Sequence, residues 1–140
     1  MSKASFDDFV KAQDMVYPQV LSELTQGRKR THWMWFIFPQ IAGLGFSAMA
    51  QRFALSSLAE AEKYLQHEVL GPRLFECAEL LLPHSHKSAL EIFGSPDNLK
   101  LHSSLTLFAL AAEKGSVFEQ LLQQFFAGDY DSKTMEILDR

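Results

Sequence analysis

The sequence predicts an all-α fold, a compact irregular bundle of about seven helices that includes short ones, and three observations carry that prediction. Apolar residues recur at three- and four-residue spacing through most of the chain, Ser, Asp and Gly stand where these segments start and stop, and no stretch reads convincingly as a strand. The 140 residues, 47% hydrophobic and 21% charged, suit a single domain over residues 1–140 with a core that needs no disulfide. Twelve Phe residues spread along the chain make that core aromatic and continuous.

Taken in order, Ser5 and Asp8 form a capping box with a shortened acid, and Phe9, Ala12, Val16, Val20, Leu21 and Leu24 follow at helical spacing. Pro18 either kinks this helix near Tyr17 or starts a second one, and Gly27 terminates it. The apolar run Trp33 to Phe38 reads as a short helix ended by Pro39. Gly43 and Gly45 turn the chain, and Ser47 caps a helix expected to run to about Leu65. Pro72, in a first turn after Gly71, opens a helix with Leu74, Cys77, Ala78, Leu81 and Leu82 on one face, stopped by Pro83. A short helix from about Ser85 to Phe93 closes at Gly94. Asp97 caps the next, which carries Leu101, Leu105, Phe108 and Ala109 toward Gly115. Ser116 with Glu119 forms a capping box for the segment bearing Phe118, Leu121, Leu122, Phe125 and Phe126, and Asp131 caps a final helix with Thr134, Met135 and Leu138.

Several function classes are disfavoured. A formal charge of −4 argues against a broad surface for duplex nucleic acid, while leaving room for one local basic patch. No apolar stretch is long enough to span a bilayer, and the N-terminus lacks the basic-then-apolar order of a signal peptide. The lone cysteine, Cys77, excludes an internal disulfide and fits a reducing, cytoplasmic setting, where it reads as a core thiol. Phosphate-binding loops, dinucleotide-binding glycine patterns and helical zinc motifs are missing, and His84 and His86 lack a third and fourth ligand, so neither a cofactor nor a metal is expected.

The unusual segment is Gly27-Arg28-Lys29-Arg30-Thr31-His32-Trp33-Met34-Trp35-Phe36-Ile37-Phe38-Pro39-Gln40, where three cations abut a dense aromatic run. These cations serve equally well as complements to a helix dipole or as guanidinium grips for phosphate or carboxylate. His32 offers an acid or base or else a buried hydrogen-bonding group, Trp35 a core residue or else a surface for stacking, and Gln40 an amide for a ligand or for its own loop. A second segment, Asp97 to Phe108, presents Lys100, Ser103 and Ser104, which either join Arg28 or Arg30 in an anion pocket or serve as capping and packing residues. Gln13, beside the first apolar stripe, is positioned to enter the core as a hydrogen-bonding partner, and Glu60 and Tyr64 form an i,i+4 pair.

The tryptophan-rich run, followed by Gly43-Leu44-Gly45-Phe46-Ser47, strongly resembles the DUF1810 family. The likeness continues through Leu70-Gly71-Pro72-Arg73-Leu74, Ile92-Phe93-Gly94, Ser103-Ser104 with Thr106-Leu107-Phe108, and Asp131 with Thr134. It implies a compact, mostly helical domain and carries no reaction to transfer. His102 stands as a weaker base where the resemblance implies arginine.

The leading functional expectation is recognition of a small anionic metabolite, nucleotide-like or ADP-ribose-like, by Arg28, Arg30, Trp35, Gln40, Lys100, Ser103 and Ser104. The alternatives are an enzyme acting on a glycosidic or phosphoryl-linked group with His32 as acid or base, and a protein-interaction module. The chain is expected to act as a monomer or small homo-oligomer.

Overall fold

Ser5 starts the fold as expected: its hydroxyl accepts the Asp8 N–H while the Asp8 carboxylate accepts the Ser5 N–H, closing a capping box on α1 (Phe6–Asp14). A computed structural model describes residues 3–140. Pro18 sits in the first turn of a separate helix, α2 (Tyr17–Gln26), so the N-terminal segment is two helices rather than one kinked helix. Gly27 closes α2 with φ +71°, a left-handed conformation that L side chains rarely adopt. Carbonyls at this end are met from elsewhere in the chain, Leu24 O by the His84 ring at 2.9 Å and Gly27 O by the Lys87 ammonium at 3.1 Å.

The apolar run forms one turn of helix, α3 (Met34–Ile37). Where one helix was expected from Ser47 to about Leu65 there are two, α4 (Ala48–Arg52) and α5 (Leu58–Gln66). Backbone pairing across the chain breaks the helix between them: Leu55 N–H donates to Gln40 O and Ala42 N–H donates to Leu55 O, an isolated parallel bridge that helical geometry at Leu55 would forbid. Ser57 then restarts the helix by capping Glu60.

α6 (Leu70–Glu79) opens on a cap supplied by an imidazole, since His67 Nδ1 accepts the N–H groups of Val69 and Leu70. The helix stops three residues short of the expected Leu82, and Pro83 sits in a 3₁₀ turn (Leu82–His84). The helix expected from Ser85 begins later, as α7 (Ala89–Phe93), because Ser88 with Glu91 makes a complete capping box there. In α8 (Asp97–Ala111) Asp97 occupies the first turn instead of the cap, and the helix ends before Gly115. The turn beyond it is held by α9 (Val117–Phe126), whose Glu119 carboxylate accepts the Gly115 N–H and whose Gln120 amide donates to Gly115 O. Glu119 therefore completes only half of the expected box. α10 (Ser132–Leu138) is capped by Asp131 as expected.

Ten α-helices and one 3₁₀ turn thus replace the expected seven or so, with no strand among the described residues. α8 is the central element, packed against α5, α7, α9 and α10. It is buried nearly all round from Leu101 to Ala109, which is why its sequence shows little amphipathic contrast. Phe9, Trp33, Phe38, Tyr64, Phe108 and Phe118 form the aromatic centre of the core. Gln13 enters that core as expected, donating to Phe36 O at 2.7 Å and Tyr64 Oη at 3.1 Å while accepting from Arg73. Cys77 is buried, and burial pushes its thiol up to about 12.

Candidate functional site

The site grows from a carboxylate at the core face of α2. Glu23 falls between Val20 and Leu24 on the buried stripe, only 1% exposed. Its Oε1 accepts the backbone N–H groups of Arg30 (2.7 Å) and Thr31 (3.1 Å) and the Trp33 indole N–H (2.9 Å). Oε2 accepts the Thr31 hydroxyl at 2.7 Å and the Gln19 amide at 2.8 Å. Burial alone would raise this carboxyl, but the donors from Arg30, Thr31 and Gln19 outweigh it and hold the group down at about 2. Glu23 thereby folds the Arg28–Trp33 loop back onto the body of the protein. Apolar periodicity alone does not single Glu23 out, although a carboxylate at i+3 from Val20 and i−4 from Gly27 on an apolar stripe is itself a signal.

Lys29 extends this anchorage rather than forming a free cation. Its ammonium pairs with Asp97 at 2.9 Å, donates to Thr31 O, and lies 4.9 Å from the Trp33 ring centroid. Through this pair the loop after α2 is fastened to the start of α8.

Between them lies a cavity of about 370 Å³ whose walls include Arg30, His32, Trp35, Pro96, Asp97 and Lys100. Both segments singled out in the sequence contribute to it. Three cations and one carboxylate line the cavity, and Asp97 is already engaged by Lys29 and, at 3.7 Å, by Lys100. The Arg30 guanidinium has no ion-pair partner among the described residues. Lys100 lies 5.3 Å from the Trp35 ring centroid. In a chain of net charge −4 this is a local positive site of a size suited to a small ligand.

A second cavity of about 390 Å³ adjoins it, with Pro96 and Lys100 common to both walls. Gln40, Leu44, Leu99 and Ser103 line this one, together with Asp131 and Lys133. The predicted residues are therefore divided: Arg30, His32 and Trp35 belong to the first cavity, Gln40 and Ser103 to the second, and Lys100 to both. Arg28 is exposed and lines neither. The Ser103 hydroxyl is committed to Leu99 O and to Asp131, which also accepts from Thr134, so its contacts are those of a packing residue. Ser104 is buried and lines neither cavity. His102 bonds Asp129 O and stacks on Phe126.

Three buried side-chain polar atoms lack a hydrogen-bond partner among the described residues: Trp35 Nε1, Asn98 Oδ1 and Ser104 Oγ. All lie on α3 or α8, the helices flanking the cationic cavity. Each such atom is destabilising by about 1–3 kcal/mol unless a partner reaches it. No group of three His, Cys, Asp or Glu side chains capable of holding a metal occurs among the described residues.

Fold and cavity together define an all-helical domain with a cationic cleft where the loop after α2 meets the N-terminal part of α8. Residues 3–138 match the family described as "Protein of unknown function (DUF1810)", and the chain belongs to that family. It is similar to the conserved hypothetical protein Rv1873 of Mycobacterium tuberculosis, with 51% identity, 96% of each chain covered and a TM-score of 0.93. None of the curated proteins matches it. No helix among the described residues is long and apolar enough to cross a membrane.

Proposed function

We propose that the cleft binds a small anionic metabolite, with Arg30 and Lys100 gripping a phosphate or carboxylate and His32 and Trp35 completing the wall. The observation that carries this reading is the convergence of Arg30 and Lys100 on one cavity whose carboxylate is already neutralised by Lys29. Arg30 has no ion-pair partner among the described residues and Lys100 shares Asp97 with Lys29, so an anion in the cavity gives both cations a charge-assisted hydrogen-bond partner. Trp35 lines the same wall with Lys100 5.3 Å from its ring centroid, and its buried indole N–H has no hydrogen-bond partner among the described residues. A reducing, cytoplasmic setting, where phosphorylated metabolites are abundant, agrees with a single buried thiol.

Isothermal titration with inorganic pyrophosphate tests the proposal. Arg30→Ala and Lys100→Ala are each expected to weaken binding tenfold or more, because a hydrogen bond to a charged group is worth about 1.5–3 kcal/mol. Arg28→Ala, outside the cavity, is expected to leave affinity within about twofold. Equal losses in all three variants, or no binding to the wild type, would refute the assignment.

Because His32 lines the same cavity, an enzymatic second reading has a specific residue to rest on: His32 as acid or base toward a glycosidic or phosphoryl-linked group. Under that reading a folded His32→Ala variant keeps its affinity for pyrophosphate and loses turnover.

A further inference from the structure

The two cavities share a wall, and that wall is built from Pro96 and Lys100. Arg30 lines the first cavity, Lys133 the second, and Lys100 both. The second cavity differs in its apolar surface: Leu44 and Leu99 line it, and Leu99 is 60% exposed, unusually open for a leucine on the central helix. Two more of the exposed large hydrophobic residues, Phe46 at 85% and Tyr130 at 44%, directly follow or precede its lining residues Gly45 and Asp131. One exposed large apolar residue thus lines this cavity and two more adjoin its lining residues in sequence, an apolar contribution of the kind that marks a binding surface.

We infer that the two cavities act as one bipartite groove for a nucleoside diphosphate, a deepening that rests on the anion-binding reading proposed above. The diphosphate lies along Arg30 and Lys100, and the planar base lies against the apolar surface of Leu44 and Leu99 in the second cavity. Charge selects one end of such a ligand and an exposed apolar platform the other, which matches a molecule with an ionic end and a flat, poorly hydrated end. Gln40, on the wall of the second cavity, supplies an amide that both donates to and accepts from a base edge. The exposed Leu99 side chain has no such role in a site for inorganic anions alone.

The test compares inorganic pyrophosphate with ADP by isothermal titration on the full chain. ADP is expected to bind at least tenfold more tightly than pyrophosphate. Leu99→Ser, at an exposed position whose loss leaves the core intact, is expected to remove most of that advantage while leaving pyrophosphate affinity within twofold; Arg30→Ala weakens both ligands. Equal affinities of the wild type for ADP and pyrophosphate, or an ADP advantage that survives Leu99→Ser, would overturn the bipartite groove and leave the anion site standing. Failure of both ligands to bind would overturn the two readings together.

Discussion

Replacing Glu23 by Gln keeps the side-chain volume but removes the charge that organises the loop before the cavity. The wild-type carboxylate accepts five hydrogen bonds, from the N–H groups of Arg30 and Thr31, the Thr31 hydroxyl, the Trp33 indole and the Gln19 amide. An amide there turns one acceptor into a donor facing donors. The carboxyl is depressed from an ordinary 4.5 to about 2, which corresponds to roughly 3 kcal/mol of folding free energy at neutral pH. That is a large fraction of the roughly 5–15 kcal/mol that holds a domain folded, and it lowers Tm by about 10 °C.

The pH dependence separates this charge effect from a simple packing defect. A group whose folded pKa is depressed stabilises the fold above its unfolded pKa and loses that contribution as pH falls toward the folded value. The advantage of wild type over Glu23→Gln is therefore fully present above about pH 5.5, and more than half of it is gone by about pH 3. Asp8, Glu60 and Glu91, also held low by hydrogen bonds or a neighbouring lysine, add acid sensitivity to both proteins equally and cancel in the difference. Urea unfolding of both proteins at several pH values measures the gap. A gap that stays constant between neutral and acid pH would refute the reasoning.

Gly71→Ala is expected to destabilise by about 2 kcal/mol and lower Tm by several degrees, although alanine normally favours a helix. A Cβ there meets the Leu65 carbonyl oxygen at 2.1 Å, so α5 and α6 must separate; a raised Tm in thermal unfolding would contradict this. Cys77, its thiol pushed up to about 12 by burial, is expected to resist a disulfide reagent at pH 8 in the native protein and to react fully in denaturant. Prompt reaction in the native state would contradict the buried assignment.

Local signals in the sequence carried much of the fold. Ser5, Ser47, Ser116 and Asp131 cap helices as their spacing indicates, and Gly27 ends α2. The failures occurred where tertiary contacts decide. Periodicity from Ser47 to Leu65 looks continuous, but the Leu55 backbone pairs with Gln40 and Ala42, a contact no local pattern encodes. His67 and His84 satisfy helix ends through their rings, roles that propensity does not reveal.

The site was legible in part for the same reason. Adjacency of cations and tryptophans singles out Arg30, His32 and Trp35, and helical spacing singles out Lys100. That these meet depends on Lys29 reaching Asp97, an ion pair across 68 positions of chain. Ser103 reads from sequence as a free hydroxyl because its partner Asp131 lies far along the chain. Glu23 was hidden because a glutamate in a helix usually faces water.

The most direct measurement follows the two indole N–H resonances in an ¹⁵N-correlated spectrum during titration with pyrophosphate. Trp33 Nε1 is already held by Glu23 at 2.9 Å, whereas Trp35 Nε1 has no partner among the described residues and its ring lies beneath Lys100. An anion seated between Arg30 and Lys100 shifts the Trp35 resonance well beyond that of Trp33, together with the backbone signals of Arg30 and Lys100. Binding that leaves the Trp35 resonance in place, or shifts confined to Arg28 and other surface cations, would contradict the assignment of this cleft.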